Sequence, residues 1–158
     1  MATLVLGLGN LLMSDDGLGS RVITELEKRF LAHKDINLLD GGTLGLDLLP
    51  RLEGIDNLLI IDALQMGAEP GSVFRLEGEA VPRAFANKLS VHQMGLQDLL
   101  AVAELLGHLP EKLVVIGAQS AEIEMQMKLS PQVEASFEEV LSVVLAELIS
   151  WGQPLQAA

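Results

Sequence analysis

Four side chains in this sequence carry chemistry at places where the chain changes direction: Asp16, Asp40, Asp62 and His92. Asp16 follows the first apolar run, Asp40 opens Asp40-Gly41-Gly42, Asp62 ends the run Leu58-Leu59-Ile60-Ile61, and His92 precedes a helical pattern. In an open parallel sheet, ligands bind beyond the carboxyl ends of the strands. Three aspartates at three such ends are therefore predicted to converge on one side of the sheet. Asp16, Asp62 and His92 together offer two oxygen ligands and one nitrogen. That donor set suits a divalent transition metal and leaves coordination positions open for a substrate. By spacing alone it is a weaker signal than a compact motif such as H-E-x-x-H.

Each residue also has an ordinary use. The segment Leu4-Val5-Leu6-Gly7-Leu8-Gly9-Asn10 imitates a nucleotide-binding loop, in which a glycine turn aims N–H groups at a helix start and favours an anion. Asp15 and Asp16 oppose that, because two adjacent carboxylates repel phosphate and attract a cation. The dinucleotide fingerprint also requires a third glycine, and position 12 is Leu12. Nucleotide is therefore not the predicted ligand. Asp15 is assigned to capping the helix near Gly17, where aspartate is favoured, which leaves Asp16 without a capping task. Asp40 can serve as a turn residue before two glycines. Asp62 follows four apolar residues, so its carboxylate is either hydrogen-bonded to nearby amides, neutralised or bound to a cation. His33 and His108 read as surface loop residues; His92 gains interest only from its company.

Short apolar runs alternating with helical patterns mark an α/β protein. The strands are predicted at 3–8, 36–39, 57–61, 72–76 and 112–117. Leu58–Ile61 and Leu113–Ile116 lack polar alternation, as strands buried on both faces do. Helices are predicted over 17–30, where Leu18, Val22, Ile23, Leu26 and Phe30 form one stripe, over 44–52, with Pro50 weakening the last turn, and over 93–106. Ser130-Pro131 starts the last helix, which runs to about Trp151. Residues 152–158 are expected to be a loose tail. No repeat or linker divides residues 1–158, so a single domain is expected.

The chain has 158 residues, a formal net charge of −12 and no cysteine. The negative charge disfavours nucleic acid and anionic membrane surfaces as partners. The absence of thiols excludes disulfides and thiolate metal sites. No stretch reaches the roughly 18–20 apolar residues of a membrane span, and the N-terminus lacks the basic region of a signal peptide. A cytoplasmic, soluble protein is expected.

Read together, Gly7-Leu8-Gly9-Asn10-Leu11-Leu12-Met13-Ser14-Asp15-Asp16-Gly17-Leu18-Gly19, Asp40-Gly41-Gly42-Thr43, Ile60-Ile61-Asp62-Ala63 and His92-Gln93-Met94-Gly95 resemble the hydrogenase maturation endopeptidases. These enzymes remove the C-terminal extension of the large subunit of [NiFe]-hydrogenases. The resemblance extends from the first strand to the last helix, and the His-Gln pair resembles the branch serving uptake-type hydrogenases. It implies a three-layer αβα fold, a twisted, mostly parallel five-stranded sheet sandwiched between helices, acting as a monomer. It also implies that Asp16, Asp62 and His92 are the metal-contacting residues, that Asp40 is the Asp-Gly-Gly aspartate, and that the metal is nickel already inserted into the large-subunit precursor. One departure concerns the loop after the last strand, where the family often has Gln-Pro and this chain has Gln119-Ser120.

The leading expectation is a processing endopeptidase for the [NiFe]-hydrogenase large-subunit precursor, with bound nickel as the recognition element. No Ser/His/Asp or Cys/His arrangement supplies a nucleophile. An aspartate or a metal-activated water is left as base or nucleophile generator, with Asp40 as candidate base and Asp16 as the alternative. The missing nucleophile keeps open a second reading, a nickel-sensing or chaperone module that binds the precursor without cutting it.

Overall fold

The computed structural model describes residues 1–43, 46–81, 91–121 and 125–158, with the backbone alone for 91–97. In chain order the elements are β1 (Thr3–Leu8), a 3₁₀ turn (Ser14–Gly17), α1 (Leu18–Arg29), β2 (Ile36–Gly42), a 3₁₀ turn (Leu46–Leu48), α2 (Leu49–Leu52), β3 (Asn57–Leu64), β4 (Val73–Glu77), α3 (Val91–Leu105), β5 (Lys112–Gln119) and α4 (Pro131–Ser150). The sheet order is β2-β1-β3-β5-β4, parallel throughout except for β4, which runs antiparallel at the edge beside β5.

The apolar runs of β1, β3 and β5 have no polar alternation because both faces are covered. Val5, Leu59, Ile61, Val114 and Ile116 pack with α1 and α4 on one face. Leu4, Leu6, Leu58, Ile60 and Val115 pack with Leu52 of α2 and Leu99, Leu100 and Ala103 of α3 on the other. The result is the α/β sandwich that the strand pattern predicts. Among the described residues, no helix is long and apolar enough to cross a membrane.

Several boundaries differ from the sequence expectation for identifiable reasons. β3 does not stop at Ile61 but continues through Asp62 to Leu64, because β5 pairs with it as far as Leu64↔Gln119. β2 likewise runs through Asp40 to Gly42, with a register shift that lets Gly42 pair with Leu8. Pro50 lies at the start of α2, where its missing N–H costs nothing, instead of weakening a last turn; residues 44 and 45 of that predicted helix lie outside the described residues. Ser130 caps α4 as expected, its Oγ accepting from the Val133 N–H at 3.3 Å. The tail is docked rather than loose. Gln153 is buried, accepts from the Thr3 hydroxyl and donates to the Met1 carbonyl at 2.8 Å, and Ala158 N–H donates to the Arg29 carbonyl at 2.9 Å.

Candidate functional site

The site forms where β1 ends and the chain bends at Gly9. Gly9 has φ +123°, and a Cβ there would lie 1.6 Å from the Asp16 carbonyl oxygen and 3.6 Å from Asp62 Oδ1. Only glycine permits the approach. The Gly9 N–H donates to the Gly42 carbonyl at the end of β2 (2.8 Å), and its own carbonyl oxygen lies 3.4 Å from Ser20 Oγ. One glycine thus brings together the ends of β1 and β2, the Asp16 turn and the side of β3.

Asp16 and Asp62 are both buried, at 3% and 0% exposure. Asp16 Oδ2 accepts the Asn10 N–H at 3.0 Å. Asp62 Oδ1 accepts the Ala63 N–H at 2.8 Å, the kind of amide contact its position after an apolar run suggested. Pairing between β1 and β3 ends at Gly7↔Ile61, one residue before Asp62. On the other side Asp62 is in register with Gly117, which has no side chain. A Cβ on Gly117 would lie 1.9 Å from the Asp62 carbonyl oxygen, so glycine is what lets β5 approach β3 at this aspartate. By alternation Asp62 shares the face of Leu58, Ile60 and Leu64, the face that α3 covers.

Asp40 is different: it is exposed, on the edge strand. Its Oδ1 accepts both the Ser20 hydroxyl (2.6 Å) and the Gly42 N–H (3.0 Å), while Oδ2 makes no hydrogen bond among the described residues. Ser20 carries no signal in the sequence, being a small polar residue in the first turn of a helix, yet it joins Asp40 to the Gly9 bend. The backbone of His92 belongs to the first turn of α3. That helix contacts the Leu46–Leu48 turn after β2, and its end is followed by the loop into β5. Its first turn thus lies toward the carboxyl edge of the parallel strands. The His92 side chain lies outside the described residues. Among the described residues, no three His, Asp or Glu side chains form a metal-holding group.

Asp15 does not cap α1. It is fully buried, and its two oxygens accept the Ala121 and Ser130 N–H groups, each at 2.7 Å. It fastens the Asp16 turn to the segment between β5 and α4. The parallel bridge Met13↔Gln126 and the Ser14 N–H to the Gln126 carbonyl (2.7 Å) reinforce that join. The Gln119-Ser120 departure also has a structural account. Ser120 N–H donates to the Leu64 carbonyl at 3.0 Å, a bond a proline could not make. Gln119 accepts the Met66 N–H at 2.6 Å and donates to Gln65 Oε1 at 3.0 Å, bracing the connection that leaves β3 just beyond Asp62.

Comparison with known proteins adds to this geometry. A family model described as hydrogenase maturation protease matches residues 20–147. The hydrogenase 2 maturation protease of Escherichia coli (strain K12) is 40% identical over 153 residues, covering 96% of this chain and 93% of the relative. The hydrogenase expression/formation protein HupD of Thiocapsa roseopersicina is 38% identical over 151 residues, covering 94% and 68%. The solved structure of the hydrogenase maturating endopeptidase HybD from E. coli superposes with a TM-score of 0.95 at 39% identity, covering 99% of this chain and 98% of that one. The [NiFe] hydrogenase maturation protease HybD from Thermococcus kodakarensis gives 0.75 at 31% identity, covering 94% and 99%.

Proposed function

This chain belongs to the hydrogenase maturation protease family, and from that premise we propose that it cuts the C-terminal extension from a [NiFe]-hydrogenase large-subunit precursor after nickel insertion. The observation that carries the reading is the gathering of Asp16, Asp40 and Asp62 around Gly9. Two buried carboxylates meeting at one glycine bend favour a cation. In this reading Asp16, Asp62 and His92 contact the nickel that the precursor brings, so the metal is part of the substrate and no nucleotide takes part. The protein works in the cytoplasm as a monomer, with no nucleic acid or membrane as partner.

Recognition through the cargo is a matter of differential affinity. A loaded precursor offers the carboxylates a divalent ion; an empty one offers none. Each 1.4 kcal/mol of that difference is about tenfold in binding, so one metal–carboxylate contact suffices to make cutting conditional on loading. Asp40 acts as general base. Its Oδ1 is held by Ser20 and Gly42, leaving Oδ2 to take a proton from water. The water oxygen bonds to the scissile carbonyl carbon, the C–N bond breaks, and the amine leaves with the proton.

The test is mass spectrometry of nickel-loaded and nickel-free precursor incubated with the purified protein. Wild type is expected to release a C-terminal peptide only from the loaded form. Asp16→Asn and His92→Ala should fold and leave it uncut. Normal cutting by either variant would overturn the site assignment, and equal cutting of the empty precursor would overturn the role of nickel.

A further inference from the structure

Arg21 stands apart from the other charges on α1. It lines a groove of about 440 Å³ between α1 and the start of α4, backed by Leu129 and Phe137 and bordered by Leu11. Leu11 lies at the start of α1, since a Cβ on Gly17 would come within 3.0 Å of the Leu11 Cα. Further along, Arg29 is committed, binding Glu138 through two nitrogens (3.0 and 2.7 Å) and Glu25 at 3.2 Å. Arg21 is not committed. Its Nε is buried without a hydrogen-bond partner, and among the described residues its guanidinium forms no ion pair, although Glu134 lines the same groove.

A guanidinium is charged at every physiological pH, and a buried N–H without an acceptor carries a desolvation penalty that an incoming acceptor removes. The groove carries Arg21, Lys28 and Arg29 against Glu25, Glu134 and Glu138, and because Arg29 is bound to Glu25 and Glu138, the remaining cations outnumber the remaining carboxylate and favour an incoming one. One lining residue of the groove, Leu11, belongs to the same loop as the candidate site. Leu11 follows Asn10, whose N–H holds Asp16 Oδ2 and whose side-chain oxygen accepts the Leu12 N–H at 2.9 Å, fixing the loop.

The geometry points to this groove as a docking site for the precursor, on a segment that lays an apolar side chain against Leu11, Leu129 and Phe137 and an acidic side chain on Arg21. The inference rests on the proposed substrate. A fork of N–H donors grips a carboxylate in two places, which a lysine at this position would not reproduce. Arg21 thus selects the partner by contacts outside the reacting centre, and its loss weakens binding while the bond-breaking step proceeds.

The experiment follows the Arg21 Nε–H resonance of ¹⁵N-labelled protein as nickel-loaded precursor is added, and measures KM and kcat for its cleavage. The resonance is expected to shift on binding. Arg21→Gln should raise KM about tenfold, or about 1.4 kcal/mol, with kcat retained; Arg21→Lys should recover part of the loss, and Leu11→Ser should raise KM independently. Melting curves check that each variant is folded. An unmoved resonance in a wild type that cuts the precursor, or an unchanged KM in Arg21→Gln, overturns the docking site and leaves the proposed function standing. A shifted resonance without cleavage overturns the proposed function and leaves the docking site. Neither binding nor cleavage overturns both.

Discussion

Replacing Asp15 by asparagine separates the two adjacent aspartates by what they do. Asp15 is fully buried, and each carboxylate oxygen accepts a main-chain N–H at 2.7 Å, one from Ala121 and one from Ser130, 106 and 115 residues away. Hydrogen bonds to a charged group contribute about 1.5–3 kcal/mol each. Asparagine keeps one acceptor, but its amide nitrogen would face the other N–H donor to donor. One charge-assisted bond is lost and one buried N–H is left unmet, so Asp15→Asn should cost about 2–4 kcal/mol. At about 2–4 °C per kcal/mol for a chain of this size, the melting point falls by about 4–16 °C. Asp16→Asn retains an acceptor for the Asn10 N–H and should cost about 1 kcal/mol or less. Thermal and urea denaturation followed by circular dichroism measure both. If Asp15→Asn melts within about 2 °C of wild type, the assignment of Asp15 as the tie between the site and the β5–α4 segment is wrong.

Gly9→Ala should fold with a displaced site, since its Cβ would overlap the Asp16 carbonyl at 1.6 Å; cleavage of loaded precursor is expected to slow about 100-fold, and a rate within threefold of wild type refutes the hub role of Gly9. Glu147 of α4 grips Arg75 of β4 through both oxygens at 2.9 and 2.7 Å, but Arg75 is 39% exposed and water screens the pair. Glu147→Gln should therefore cost about 1 kcal/mol, not the several of a fully buried pair, as calorimetry will show. Arg29 holds the Glu138 carboxyl below its ordinary 4.5, chiefly by hydrogen bonding. A lowered carboxyl pKa stabilises the fold above the unfolded value and loses that contribution as pH falls through the folded one, so the α1–α4 clasp weakens only below pH 4.5. Carbon NMR titration should show the Glu138 midpoint rising in Arg29→Gln.

Local pattern determined much of this protein. Unbroken apolar runs marked β1, β3 and β5 because strands covered on both faces need no polar alternation. The Leu18–Leu26 stripe, the Ser130 cap and the glycine turn before Asp16 are likewise short-range features, legible because helix and strand periods repeat within a few residues. The same logic places Asp16, Asp40 and Asp62 at one edge of the sheet. Tertiary structure alone decided what Asp15 does, where β3 ends, and whether the tail is held. Local pattern suggests a cap at Asp15 because its actual partners lie more than a hundred residues away and leave no trace in neighbouring residues. Asp62 reads as a strand terminator because a carboxylate after four apolar residues breaks the pattern, yet β5 supplies partners for the strand as far as Leu64. Ser20 and Arg21 were invisible for a related reason. A helix-surface side chain acquires its meaning from the element that packs, or fails to pack, against it.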